Sequence, residues 1–137
     1  MKDKNFINSA LKVIEIESKA VKSLSDQIKS DFNDLCTKIL DTKGKLILMG
    51  IGKSGHIAQK ISATLSSTGT SSFFIHPTEA AHGDLGMISK KDAILILSNS
   101  GETKEIIEIL PALKRSTSNI FTLTNNCLLY TSPSPRD

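Results

Sequence analysis

The run Ala93-Ile94-Leu95-Ile96-Leu97 leads directly into Ser98-Asn99-Ser100-Gly101-Glu102-Thr103. It is short, rich in branched side chains and bounded by polar residues, which predicts a strand buried on both faces of a parallel sheet. Beyond it, Ile106, Ile107, Ile109, Leu110 and Leu113 keep a helical spacing. Glu102 and Glu105 fall in the first turn of that helix and Lys114 and Arg115 in its last, the order that suits a helix dipole. A strand thus hands over to a helix N-terminus across three hydroxyls and a glycine. Unpaired backbone N–H groups and the positive end of the dipole suit an anion such as phosphate there. Capping the helix needs only one hydroxyl. The other two, with no bulky neighbour to block access, favour the anion.

A second turn of the same kind lies earlier. Lys45-Leu46-Ile47-Leu48-Met49 is another short apolar run, followed by Gly50-Ile51-Gly52-Lys53-Ser54-Gly55-His56 and then by helical spacing at Ile57, Ala58, Ile61 and Leu65. It is not a Walker A loop, because the glycine required five residues before Gly52 is Ile47. It fits G-x-G-x-x-G after a strand. A dinucleotide site, however, expects an acid at the end of the second strand to hold a ribose. That strand reads Ser71-Ser72-Phe73-Phe74-Ile75, and the next residue is His76. Taken together, the two turns lie at the carboxyl ends of strands, where open α/β sheets bind ligands. They can converge on one small phosphorylated ligand. Lys53 sits at the wrong end of its helix for the dipole, and a cation beside a phosphate or a polarised carbonyl explains it.

Between the turns, Thr78-Glu79-Ala80-Ala81-His82-Gly83-Asp84-Leu85-Gly86 sets two acids and a histidine among small residues. An unperturbed imidazole titrates near neutrality, so His82 is a candidate for proton transfer, although a lone histidine is more often an ordinary surface group. His76, Glu79, His82 and Asp84 carry ligating atoms, but their spacing matches no strong metal motif.

Three stretches, Met49 to His56, Glu79 to Met87 and Ser98 to Thr103, together resemble the sugar isomerase (SIS) domain. More narrowly, they are similar to the D-arabinose 5-phosphate isomerases of lipopolysaccharide and capsule synthesis. The similarity runs from about residue 6 to about residue 125. The serine-rich turn alone marks the wide superfamily; the glycine-lysine turn and Ala80-Ala81-His82-Gly83-Asp84-Leu85-Gly86 in the same order are more specific. The resemblance implies aldose–ketose isomerisation of arabinose 5-phosphate and ribulose 5-phosphate through an enediol, without a metal or organic cofactor. Matched by position, Lys53, His82 and Glu105 fall on residues the family uses at its site. Chemistry gives Lys53 the substrate oxygen and leaves the proton to Glu105 or His82. Glu105 also has a plain reading as a first-turn acid. Gly52, Ser54, Ser98, Asn99, Ser100 and Thr103 are the expected substrate-binding residues, with Ser66 and Ser67 as further candidates to line the pocket. Two alternatives stand beside this one: a sugar-phosphate-binding module without chemistry, and an isomerase for another sugar phosphate such as a hexulose.

At 137 residues the chain has room for one core. A net charge of +3 is too small to imply nucleic acid, and no stretch approaches the length of a membrane span. Without a signal-peptide core, the expected location is cytoplasmic. Two cysteines, Cys36 and Cys127, make no disulfide framework. Residues 1–43 read as two helices packing on the sheet, with a break near Lys22-Ser23 and Ser25-Asp26 and apolar residues to spare on the first for a partner subunit. The resemblance adds a homo-oligomer. Residues 44–126 read as an α/β core: a three-layer open parallel sheet with flanking helices and about four strands, the fourth at Asn119 to Thr124. Against the family pattern the last strand, the C-terminal helices, a further site histidine and a pair of CBS modules have no counterpart. That implies a fragment, inactive by itself. Residues 127–137, with X-Pro steps at Ser132-Pro133 and Ser134-Pro135, read as a non-native or disordered tail.

Overall fold

The computed structural model describes residues 6–125, so the expectations for the tail over 127–137 lie outside the described residues. The chain divides between Thr37 and Lys38 into two compact units. The first carries α1 (Phe6–Ser23), a single 3-10 turn (Leu24–Asp26) and most of α2 (Ser30–Asp41). The break falls where the hydroxyls accumulate: Ser23 Oγ donates to the Ala20 carbonyl at 2.7 Å and Ser25 Oγ to the Lys22 carbonyl at 2.9 Å. Such back-bonding offers the backbone an alternative to the next helical turn. Helix α1 buries none of its residues.

The second unit is a four-stranded sheet with all strands parallel. Its strands are β1 (Leu46–Gly50), β2 (Ser72–Phe74), β3 (Ala93–Ser98) and β4 (Ile120–Thr124), in the order β2-β1-β3-β4. Its helices are α3 (Gly52–Ser67), α4 (Pro77–Ala81) and α5 (Lys104–Ser116). Every residue of β1 and β3 is buried, as a central parallel strand covered on both faces requires. Alternation assigns the faces. Leu46, Leu48, Leu95 and Leu97 cluster with Ala58 of α3, while Ile47, Met49, Ile94 and Ile96 cluster with Ala80 of α4 and with Ile106, Ile109, Leu110 and Leu113 of α5. Each of these large side chains contributes roughly 1.5–3 kcal/mol on burial. The three layers match the sequence expectation.

The amino ends of the strands are tied by Asp92, which is 4% exposed. Its Oδ1 accepts from the Lys45 N–H at 2.7 Å, its Oδ2 from the Ser89 N–H at 2.7 Å, and its carbonyl from Thr117 Oγ1 at 2.7 Å. Burial works to raise the Asp92 carboxyl, but the N–H bonds from Lys45 and Ser89, the Ser89 hydroxyl and the Lys45 charge hold it below its ordinary value. A Cβ at Gly44 would collide with this carboxylate and with the Lys91 carbonyl, which explains the glycine. Sequence reading does not single out Asp92, because a lone acid before a strand carries no pattern.

The small-residue stretch after β2 is more ordered than its composition suggests. Pro77 occupies the first turn of α4, and His76 caps it, Nδ1 accepting from the Thr78 N–H at 3.3 Å. A 3-10 turn (Asp84–Met87) follows. Among the described residues no helix is long and apolar enough to cross a membrane.

Candidate functional site

The strand order reverses at β1 and β3: from β1 the chain goes to one side to form β2, then crosses to form β3 on the other. The carboxyl ends of these two strands therefore flank the crevice where open α/β sheets take ligands. At the end of β1 the glycines bring helix and strand together. A Cβ on Gly55 would stand 2.7 Å from the Gly50 carbonyl oxygen, and one on Gly50 would stand 2.9 Å from the Ser54 backbone. Gly52 has φ +57°, a left-handed conformation that glycine adopts without strain. The G-x-G-x-x-G spacing is thus accounted for by close packing and one turn, with no need of a dinucleotide.

An open hollow of about 380 Å³ lies at these carboxyl ends. Helix α3 contributes Lys53, Ser54 and Ile57 to its lining. The ends of β3 and β4 contribute Leu97, Ser98 and Asn99, and Leu123, Thr124 and Asn125. Neither α3 nor α5 has a side-chain cap at its N-terminus, where Ile51 and Thr103 hold the cap positions. Two positive dipole ends therefore stand open at the ends of adjacent strands. Among the described residues Lys53 forms no ion pair.

The turn after β3 is knitted by its own hydroxyls. Ser98 Oγ and Thr103 Oγ1 are 2.8 Å apart, and Ser98 Oγ also accepts from the Gly101 N–H at 3.1 Å. Ser100 Oγ accepts from the Glu102 N–H at 3.2 Å. Ser98 is 3% exposed, so its hydroxyl braces the turn, whereas Ser100 stands in the open. The Asn125 N–H donates to the Asn99 carbonyl at 3.3 Å, tying the turn to the end of β4.

The structure brings Lys53, Ser54, Ser98 and Asn99 together in one lining, with Gly52 next to it in the chain. Ser100, Thr103 and Glu105 lie on the turn and first turn of α5, outside that lining, and Glu105 is exposed. His82 is exposed at the C-terminal end of α4, its N–H bonded to the Glu79 carbonyl at 2.9 Å. Helices α4 and α5 cover the face of the sheet opposite α3. Ser66 and Ser67 lie apart from all of these. They end α3 some fourteen residues beyond Lys53, about 20 Å away at 1.5 Å per residue. There Ser66 Oγ donates to the Ser72 carbonyl at 2.6 Å and Ser67 Oγ to the Thr64 carbonyl at 2.8 Å, at the amino edge of the sheet. They do not line this hollow, because the helix carries them away from it. Ile57, Leu97, Leu123, Thr124 and Asn125 are lining residues that sequence reading misses. Strand pairing finds Leu123 and Thr124, since Leu97 pairs with Leu123 and Ser98 with Thr124, and Asn125 follows them.

A model of the SIS domain family matches residues 38–128. Arabinose 5-phosphate isomerase KdsD of Pseudomonas aeruginosa is 51% identical over 122 residues, which are 89% of this chain and 37% of that protein. The chain thus spans well under half the length of the curated relatives it matches. Among solved structures, an Escherichia coli CFT073 protein in complex with arabinose 5-phosphate superposes with a TM-score of 0.85 at 43% identity, over 92% of this chain and 67% of that one. A Bacteroides fragilis protein described as a candidate phosphosugar isomerase involved in capsule formation gives a TM-score of 0.82 at 34% identity, over 96% and 68%. With the doubly covered parallel sheet and its two glycine- and serine-bearing turns, these matches assign the chain to the SIS domain family.

Proposed function

We propose that the hollow binds the phosphate of a small sugar phosphate, and that in the whole protein this domain serves the interconversion of D-arabinose 5-phosphate and D-ribulose 5-phosphate. The observation that supports this most is the pairing of two uncapped helix N-termini with Lys53 at the ends of adjacent strands. Each dipole end favours an anion by about 0.3–1 kcal/mol, and a charge-assisted bond from lysine adds about 1.5–3 kcal/mol. The names borne by the relatives supply the sugar.

Isomerisation removes the C2 proton of the aldose, passes through an enediol and returns a proton to C1. Charge builds on the former carbonyl oxygen, where Lys53 donates a hydrogen bond. Glu105 or His82 accepts the C2 proton and delivers it to C1, while the O2 hydroxyl proton passes to O1, so that C1 gains a hydroxyl and C2 becomes the carbonyl. Ser54 offers a hydroxyl to the phosphate from the lining, Ser100 and Thr103 stand on the turn beside it, and Ser98 braces that turn.

One observation favours a second reading for the chain taken alone. The hollow is lined by Lys53 but not by His82 or Glu105, which suits binding without turnover. Completion by a second subunit is part of the proposal: α1 leaves Phe6, Ile7, Leu11 and Ile14 exposed, as a homo-oligomeric contact would use them. The test is a pair of assays following D-ribulose 5-phosphate. One uses this chain alone; the other uses a chimera in which residues 6–125 replace the matching part of the Pseudomonas isomerase. The chain is expected to bind D-arabinose 5-phosphate without turnover, and the chimera to turn it over. A folded chimera with no isomerase activity contradicts the enzymatic reading, and steady turnover by the chain alone contradicts its inactivity.

A further inference from the structure

The hollow has two kinds of wall. Ile57, Leu97 and Leu123 are apolar, and two of them, Ile57 and Leu123, are more than half exposed at 55% and 60%. Beside these stand a cation and a hydroxyl from α3, Lys53 and Ser54, and two amides just beyond β3 and β4, Asn99 and Asn125. The amides differ in kind from the anion-binding groups. A carboxamide carries two donors and an acceptor and no charge. Hydroxyls, which both donate and accept, use its donors and its acceptor together, whereas a phosphate, which accepts, uses its donors alone. The position of Asn125 is also held from behind. Its N–H bonds the Asn99 carbonyl, so the two amide-bearing residues are coupled through the backbone at the crevice. Parallel pairing of Ser98 with Thr124 sets Asn99 and Asn125 at the same level beyond the sheet.

We propose that Asn125 is a substrate-orienting residue: its carboxamide bonds the hydroxyls of the sugar chain while Lys53 and the helix N-termini hold the charged groups. This rests on the reading of the hollow as a sugar-phosphate site, and adds that the end of β4 reads the sugar and not the phosphate. The hydroxylated carbons lie against the amides, and their C–H edges against Ile57 and Leu123. Asn125 thus selects for a polyhydroxylated chain over a bare phosphate.

Calorimetric titration of the protein with D-arabinose 5-phosphate and, separately, with inorganic phosphate tests this. Asn125→Ala is expected to weaken D-arabinose 5-phosphate roughly five- to tenfold, the worth of one or two neutral hydrogen bonds. Inorganic phosphate should change by less than about twofold, the scatter expected of a surface substitution. Asn125→Asp, nearly the same shape but without the donors, should weaken both, because it adds a negative charge beside the anion. A merely structural role would weaken the two ligands alike in Asn125→Ala, and that result overturns the inference. So does an Asn125→Ala variant that binds D-arabinose 5-phosphate as the parent does. If the parent binds inorganic phosphate but discriminates no sugar phosphate from it, the role of Asn125 is overturned while the anion site stands. If the parent binds neither, the reading of the hollow itself falls.

Discussion

The two ends of the sheet treat their polar groups in opposite ways. At the amino edge, Asp92 spends both carboxylate oxygens and its carbonyl on Lys45, Ser89 and Thr117, and is almost fully buried. At the carboxyl edge, two helix N-termini stand without side-chain caps, and Lys53 has no acid beside it among the described residues. An amino-edge cavity of about 250 Å³ does exist, lined by residues such as Thr42, Gly44, Thr70 and Ser71, but it has no charged group in its lining. Polar groups satisfied within the chain mark architecture, and those left unsatisfied at a strand end support the proposed binding site.

Substitutions at the two edges should separate stability from binding. The largest effect is expected from Asp92→Ala, which removes the buried carboxylate that accepts from the part-buried N–H groups of Lys45 and Ser89. Hydrogen bonds to a charged group are worth about 1.5–3 kcal/mol, so the denaturation midpoint should fall sharply. Lys53→Met at the other edge should do the reverse. Phosphate or sugar-phosphate affinity should drop by about 10- to 100-fold, while stability changes by less than about 0.5 kcal/mol. If Lys53→Met proves as destabilising as Asp92→Ala, the contrast between the edges collapses. A smaller, mixed effect is expected from Thr103→Val, which breaks the hydroxyl pair with Ser98. It should cost about 1 kcal/mol of stability and loosen the turn enough to weaken binding a few-fold. The smallest signal is in pH. The Asp92 carboxyl is held below its ordinary value in the folded state, so its contribution is fully present above the unfolded carboxyl's pKa of about 3.9. It is lost as pH falls through the lower folded value. Stability curves of the parent and Asp92→Asn, measured by denaturant titration, should therefore converge in acid and run parallel above about pH 5.

The sheet is legible in the sequence because continuous apolar runs and their flanking periodicity leave few alternatives. Ala93 to Leu97 and Lys45 to Met49 read as strands, and the strands they form are paired in register. The helix break near Ser23 is legible from hydroxyls and charge. The hydroxyls of the serine turn are harder to read. Composition suggests groups available to a ligand, but Ser98 and Thr103 bond each other, which only the closed turn reveals. Ser66 and Ser67 mislead for a simple geometric reason: a sixteen-residue helix returns the chain to the amino edge. Asn125 escapes notice because an asparagine after a strand looks like any turn residue. The role proposed for it rests on β4 lying beside β3, a fact of topology and not of local pattern.

A titration of ¹⁵N-labelled protein with D-arabinose 5-phosphate tests most directly whether the carboxyl edge binds a sugar phosphate between the two open helix N-termini. The largest amide shifts are predicted at Lys53, Ser54, Lys104 and Glu105, with smaller ones at Asn99 and Asn125. Shifts confined to the amino edge, around Gly44, Thr70 and Ser71, or no shifts at millimolar ligand, would contradict the account.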